Sequence, residues 1–509
     1  MSTALLYGGF FSNCWNVVDT ESFTSQDLSG GYAVGRMVKS RQDGIFSAGG
    51  LLGLGSSNEE YITNYTDRME YQYSAYINGL DFKSYKPYNS QIGGQGILFG
   101  ILDLLLPVSP QNKLQLIYML TSLLSAVVVS LVVLWFYQEF GLCAALFVMT
   151  SALLSQRLVI YGRNIMWSTW AFYIPFISLA YFLRRGQTAP HYSAIKCGGI
   201  VFIAVFVKCL FNGYEYMTTT LIMMMVPFAY YYILDSINIK ILLKLILAAV
   251  LSSCVAIFLS FTILTFQIAS VKGNFTDGVS HIVHAFQKRT YPEDTHYFSN
   301  KSTWVVQSIE TSAKKVLTFY LDDTFLDLHN YLSTSNPVIS RLLFKIRYWD
   351  LIALFSIMSA ALYSGKNISA FRTKHQSRLA LLLATWLSVL APISWFIVFK
   401  SHSVITAWDM IKLFLITAIV LYAHKNISVP DTEHQGRLAL IIATWLSILA
   451  PVSWFIVFKS HSFLHKFMNS ILWQMPFTFF GFAVCGLAIK SILRNSLDLS
   501  RHYLRRGAE

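Results

Sequence analysis

Residues 114–137, LQLIYMLTSLLSAVVVSLVVLWFY, contain no charged side chain. A helix needs about 20 predominantly apolar residues to cross a bilayer, and this run supplies them. Comparable runs recur near 141–160, 165–183, 195–211, 215–234, 241–270, 349–365, 378–399, 408–423, 437–458 and 469–491. The pattern predicts an all-α polytopic membrane protein with about eleven transmembrane helices. Composition agrees: 54% of residues are hydrophobic and 13% charged, against about 25% charged in soluble domains.

The net charge of +13 is therefore read as topology, with no nucleic-acid partner expected. Lys and Arg gather in cytoplasmic loops. Counting spans puts Arg184, Arg185, Lys196, Lys240 and Lys244 on one side, with Lys366, Arg372, Lys374 and Arg378. Lys425, Arg437 and the tail residues Arg494, Arg501, Arg505 and Arg506 fall there too. The expected location is a bacterial inner membrane, with the C-terminus cytoplasmic and two large loops outside.

These loops divide the chain. Residues 1–113 form an outer loop, 114–270 a six-helix membrane region and 271–348 a second outer loop. Residues 349–407 and 408–466 form two helical hairpins, and 467–509 the last helix and a basic tail. The opening MSTALLYGGFF has too few apolar residues for a span, so the first helix reads as truncated or re-entrant. ILFGILDLLL, at 97–106, reads as an interfacial helix. Val305, Val306, Ile309, Val316, Leu317, Tyr320 and Leu321 make a broken helical stripe. It either lies flat on the outer leaflet or packs within a small outer domain.

The two hairpins are copies. SWFIVFKSHS occurs at 394–403 and again at 453–462, and WDLIALF at 349 matches WDMIKLF at 408. A parallel hairpin copied beside itself does not build the inverted halves of a transporter. It reads as a tandem duplication that leaves the orientation of later helices unchanged. Only the second copy continues as KSHSFLHK, placing His461 and His465 four apart, with Lys459 and Lys466 flanking. Residues four apart share a helix face. Two imidazoles and two ammonium groups there suit a phosphate; the alternative is a solvated interfacial cluster with snorkelling lysines. A metal held by the two His alone lacks a third ligand nearby.

Other candidates lie toward the same side. Asp19 and Glu21 follow the apolar stub, where a carboxylate can serve as a general base if its surroundings raise its pKa. GRMVKSRQDGIFSAGG offers Arg36, Lys39 and Arg41 among glycines as a phosphate cradle, without matching a P-loop. Tyr88, Gln91 and Gln95, from YNSQIGGQG, combine rings and amides as sugar-binding surfaces do. Arg163, Lys208 and Glu215 are ionisable residues at span ends, which marks them as functional candidates. Lys208 and Glu215 alternatively form a structural bridge.

The layout resembles the GT-C class of membrane glycosyltransferases. A first helix leads into an outer loop bearing an acidic residue and an interfacial helix, and many spans with short connections follow. The truncated first helix and the extra hairpin depart from that pattern. The resemblance implies transfer of a sugar from a polyprenyl phosphate to a glycan, lipid or protein acceptor on the outer face. It implies Asp19, with Glu21 beside it, as base or metal-associated acid, with no resident cofactor beyond an optional divalent ion. Arg163, Lys208, Lys459, His461 and His465 would hold the phosphate, and Tyr88, Gln91, Gln95 and Glu215 the sugar or acceptor. The alternatives are an O-antigen-type polymerase or ligase, and a transporter or flippase.

Overall fold

A computed structural model describes residues 1–58, 64–188, 192–234, 237–290, 313–328, 345–364 and 432–506. The described residues are mostly helical, with two small two-stranded antiparallel sheets. Helix α1 (Ser2–Ser12) is short and packs along the later helix 110–140. The loop beyond it folds as α2 (Thr20–Ser25), α3 (Gly31–Asp43), β1 (Gly53–Ser56), α4 (Tyr65–Asn78), β2 (Ser84–Pro87) and α5 (Gly94–Leu105). β1 pairs antiparallel with β2, Gly53 opposite Pro87.

The bundle follows: α6 (Pro110–Phe140), α7 (Leu142–Leu154), α8 (Gln156–Gly162), α9 (Thr169–Thr188), α10 (Ala194–Asn212), α11 (Met217–Ile233) and α12 (Ile239–Lys272). Several boundaries have a local cause. Ser109 caps α6 ahead of Pro110, Ser193 caps α10 and Asn238 caps α12, their side-chain oxygens taking first-turn N–H groups. α12 ends at Gly273, whose positive φ suits a residue without Cβ. Next come α13 (Phe275–Thr290), α14 (Ala313–Leu321), β3 (Thr324–Asp327), β4 (Lys345–Arg347) and α15 (Tyr348–Ser364). The chain closes with α16 (Thr432–Ser447), α17 (Leu449–Val457), α18 (Lys459–Leu464), α19 (Lys466–Asn469) and α20 (Phe477–Arg506).

Among the described residues, five helices are long and apolar enough to cross a membrane: Pro110–Phe140, Ala194–Asn212, Ile239–Lys272, Gln435–Val457 and Phe477–Arg494. α7 and α8, bent by 68°, count as a sixth if taken as one broken span. Nine of the eleven apolar runs in the sequence fall on described helices. The runs at 378–399 and 408–423 lie outside the described residues. Most of the first hairpin copy lies outside them too; α15 comes from the first copy, and α16 and α17 from the second.

The bundle has two chemically distinct ends. At one, Glu139 closes α6 and accepts hydrogen bonds from Arg184, Tyr230 and Tyr231. Gln435 donates to Ile233 O nearby, and Arg437 to Ser491. Arg184 and Arg437, two of the basic residues counted on one side of a membrane, thus share one end. The loop of α2–α5 and the candidate site occupy the other.

One expectation for the loops is corrected, and the choice between two readings of the 316–321 stripe falls to the packed one. Arg36, Lys39 and Arg41 form no phosphate cradle. Buried Arg36 donates to Ser40, Gly44 O and Ser47, Lys39 pairs with Asp43, and Arg41 with Asp103. The stripe at 316–321 does not lie on a leaflet either. Val316, Leu317 and Tyr320 are buried, and the Tyr320 ring stacks on Phe455 at 4.0 Å. Val305, Val306 and Ile309 are outside the described residues.

Candidate functional site

The loop Arg163–Ser168, between α8 and α9, is the hub of the site. Asn164 fixes it: its Oδ1 accepts from the main-chain N–H groups of Met166 and Trp167, both at 3.0 Å. Its Nδ2 donates to Ser29 Oγ at 2.8 Å, tying the loop to the segment after α2. Such side-chain-to-backbone bonds set a turn without regular structure.

On one side of the hub, Arg163 donates to Asp27 Oδ2 at 2.8 Å and to Phe11 O at 3.0 Å. Its guanidinium lies 4.6 Å from the Tyr118 ring centre and 5.1 Å from that of Phe23. The Tyr73 hydroxyl donates to Asp27 O and lies 3.1 Å from the Tyr118 hydroxyl. Burial among these rings pushes the Asp27 carboxyl up to about 6, and Arg163 only partly offsets it. Desolvation wins here, which leaves an acid that titrates close to neutrality.

On the other side, Gln95 Nε2 donates to Met166 O at 2.7 Å and Asn212 Nδ2 to Ser168 O at 3.2 Å. Gln91, Gln95, Ser168 and Asn212 are all buried. Gln95 Oε1, Asn212 Oδ1, Ser168 Oγ and both amide atoms of Gln91 find no hydrogen-bond partner in the protein. A buried polar group left so costs about 1–3 kcal/mol, so a cluster of them marks a place arranged for polar company. Gly213 borders it with φ +56°. A Cβ there would stand 2.8 Å from Gln91 Cβ, so the close approach requires glycine.

The turn after Gly213 brings Glu215 to a histidine. Glu215 is buried, and its Oε2 lies 3.4 Å from His461 Nε2. The His465 ring centre is 4.4 Å from that of His461. Tyr216 takes a left-handed backbone (φ +55°), and its hydroxyl donates to Asn469 Oδ1 at 2.7 Å. Strain of this kind, about 1–3 kcal/mol, persists where packing over-determines it. Here Trp167, Phe172 and Trp454 enclose the Tyr216 ring.

Gln91, Gln95, Glu215, Arg163 and His461 are thus gathered around one loop. Asp19 is not among them. It is exposed, and its Oδ1 accepts the Ser22 N–H at 2.7 Å. That bond holds its carboxyl below the ordinary range, the opposite of what a base needs. Glu21 is exposed in the first turn of α2. Lys208 is fully buried, its ammonium given to the main-chain oxygens of Gly213 and Glu215, not to the Glu215 carboxylate. It holds the turn, so neither a phosphate contact nor a carboxylate bridge describes it. Lys459 is half-buried at the start of α18, His465 is exposed, and Tyr88 packs on the Tyr32 ring at 4.8 Å. Among the described residues, no group of three or more His, Cys, Asp or Glu side chains is placed to hold a metal ion.

Sequence reasoning missed Asp27, Asn164, Ser168 and Asn212. Each is a single polar residue in a mixed stretch, and only its burial distinguishes it. An open groove of about 530 Å³ adjoins the site, lined by Lys314, Lys315, Thr318, Phe319, Asp322 and Asp323. Asp323 is held by Arg157 at 3.1 Å, and the Lys315 ammonium lies 5.1 Å from the ring centre of Phe463 on α18.

Compared with protein-family models, curated proteins and solved structures, the chain matches none.

Proposed function

We propose that this chain is a polytopic membrane glycosyltransferase of the GT-C kind. It takes a sugar from a polyprenyl-phosphate carrier and passes it to a glycan, lipid or protein acceptor. The reading places the site end of the bundle at the outer face of a bacterial plasma membrane and the Glu139 end at the cytoplasm, following the Lys and Arg distribution.

The observation that carries it is Asp27 against Arg163, one loop away from the buried amides of Gln95 and Asn212. An acid titrating near 6 is largely ionised at neutral pH yet still accepts a proton, as a general base must. In this reading Asp27, not Asp19, takes the proton of the acceptor hydroxyl. The hydroxyl oxygen bonds to the anomeric carbon as the bond from that carbon to the phosphate oxygen breaks, in one inverting displacement. Lys459, His461 and His465 stabilise the phosphate leaving group. Glu215 orients the His461 imidazole, and Gln91 and Gln95 offer both donors and acceptors to sugar hydroxyls. Transport is less well supported, because the described ionisable clusters lie at the bundle ends and not midway.

The test compares surface glycans and glycolipids by mass in three strains: one lacking the gene, one restored with this chain and one restored with Asp27→Asn. The expected result is a sugar-sized mass difference that returns with the unaltered chain and not with the variant. No difference in any strain, with the protein present in the membrane, would overturn the reading. Return with both would keep the enzyme class and remove Asp27 as its base.

A further inference from the structure

The surface of α13 is divided into three sectors. At about 100° per residue, Phe275, Val279, Val283 and Phe286 fall within about 80° of one another around the helix. All four are open, with relative exposures of 50%, 43%, 49% and 52%. The next sector holds Thr276, Ser280, His284 and Asp277, which are polar and exposed. The third faces the protein. Gly278 is buried so closely against α12 that a Cβ would stand 2.6 Å from Thr265 O. Ile282 packs on Leu51, Ile92, Leu264 and Ile268.

We infer that α13 lies in the membrane–water interface, with Phe275, Val279, Val283 and Phe286 in the acyl chains and the Ser280–His284 sector in water. Two observations commit the apolar sector to lipid. First, it continues the open apolar face of α12, a spanning helix with only 28% of its apolar window buried. Phe258 and Phe266 of α12 are 73% and 60% exposed, and the Phe266 ring centre lies 5.4 Å from that of Phe275. Second, the apolar and polar sectors adjoin along one side of the helix. Interfacial helices need that division, and a helix covered on all sides by protein does not.

The consequence concerns the candidate site. α13 packs against α18, which carries His461, and the Phe286 ring centre lies 6.0 Å from that of Phe458. The helix therefore sets the depth of the Glu215–His461 pair at the bilayer surface. This inference rests on the membrane reading and not on the chemistry proposed above.

The experiment uses the full chain in phospholipid nanodiscs, with the exposed Cys14 and Cys254 replaced by serine. Nitroxide labels are placed singly through Val279→Cys, Val283→Cys, Ser280→Cys and His284→Cys. Collision with oxygen, which concentrates in lipid, is compared with collision with a water-soluble nickel chelate. The oxygen-to-nickel ratio should be at least about threefold higher at 279 and 283 than at 280 and 284. Equal ratios at all four sites would overturn the inference. So would exclusion of both reagents from 279 and 283, which would mean that a second copy covers this face. Since all four positions are exposed, the labels are tolerated. Brominated-lipid quenching of a Val279→Trp variant, taken as the difference from the unaltered chain with its 12 Trp, gives a second readout, and no added quenched component would also overturn it.

Discussion

His461 Nε2 lies 3.4 Å from Glu215 Oε2, which joins the turn between α10 and α11 to the helix after α17. Glu215 is buried and His461 nearly so, so the pair sits in a medium where hydrogen bonds and charge matter more than at a surface. His461→Ala should destabilise the protein by about 1–3 kcal/mol, because the carboxylate loses its imidazole. Glu215→Gln should recover part of that loss in the double variant, with a coupling of at least about 0.5 kcal/mol. Thermal unfolding of the four proteins in one detergent checks this, and strictly additive effects would contradict it.

Asp27 gives a pH prediction. Its folded pKa of about 6 exceeds the ordinary 3.8, because burial outweighs Arg163. The folded state therefore favours the protonated acid. The stability this group contributes is full below pH 3.8 and is lost as pH rises through about 6. The melting temperature of Asp27→Asn relative to the unaltered chain should rise between those limits and level off above them. Transfer activity should increase through the same pH, since the ionised form is the base, and Asp27→Asn should lower it by about 10²-fold or more. A pH-independent rate between 5 and 7.5 would rule Asp27 out.

Asp103 is the anchor of the α2–α5 loop. It is buried and accepts hydrogen bonds from Arg41 and from the Tyr76 hydroxyl at 2.6 Å, with the Lys113 ammonium 3.4 Å away. Burial alone would push its carboxyl up, yet these partners hold it below the usual range. Asp103→Asn should therefore cost about 1.5–3 kcal/mol, the worth of hydrogen bonds to a charged group. Limited proteolysis should cleave the 1–109 segment faster in this variant, and an unchanged cleavage rate would dismiss the anchor role.

The duplication also yields a prediction. Deleting 365–423 removes one repeat unit and joins LYS at 362–364 to HKNIS at 424–428, mirroring the first copy's own LYSGKNIS. Every described helix survives, as does the KSHSFLH segment that carries His461. The shortened chain should insert normally and melt within about 2 °C of the full chain, equivalent to about 2 kcal/mol at roughly 2.1 cal/mol/K of unfolding entropy per residue. Failure to insert would show that both copies are needed.

Much of the architecture was legible in the sequence because hydropathy is local. An apolar run such as 114–137 has one good solution in a bilayer, a helix with its backbone bonds satisfied internally. Ser109, Pro110 and Gly273 bound helices for similarly local reasons. Arg163 and Glu215 read as ionisable residues at span ends, Gln91 and Gln95 as amides beside aromatic rings, and His461 as one of two histidines on a helix face. What the sequence alone determined was therefore a set of membrane-length helices and an end where polar chemistry collects. Tertiary structure decided which of those residues meet. Asp19 and Asp27 look alike in sequence, but only Asp27 is sunk among Phe23, Tyr73 and Tyr118 against Arg163. Lys208 and Glu215 look like an ion pair, but the fold gives the ammonium to main-chain carbonyls and the carboxylate to a histidine from the far end of the chain. Burial and partnership come from packing between distant segments, and it is desolvation and opposite charge, not residue type, that set a carboxyl's affinity for its proton.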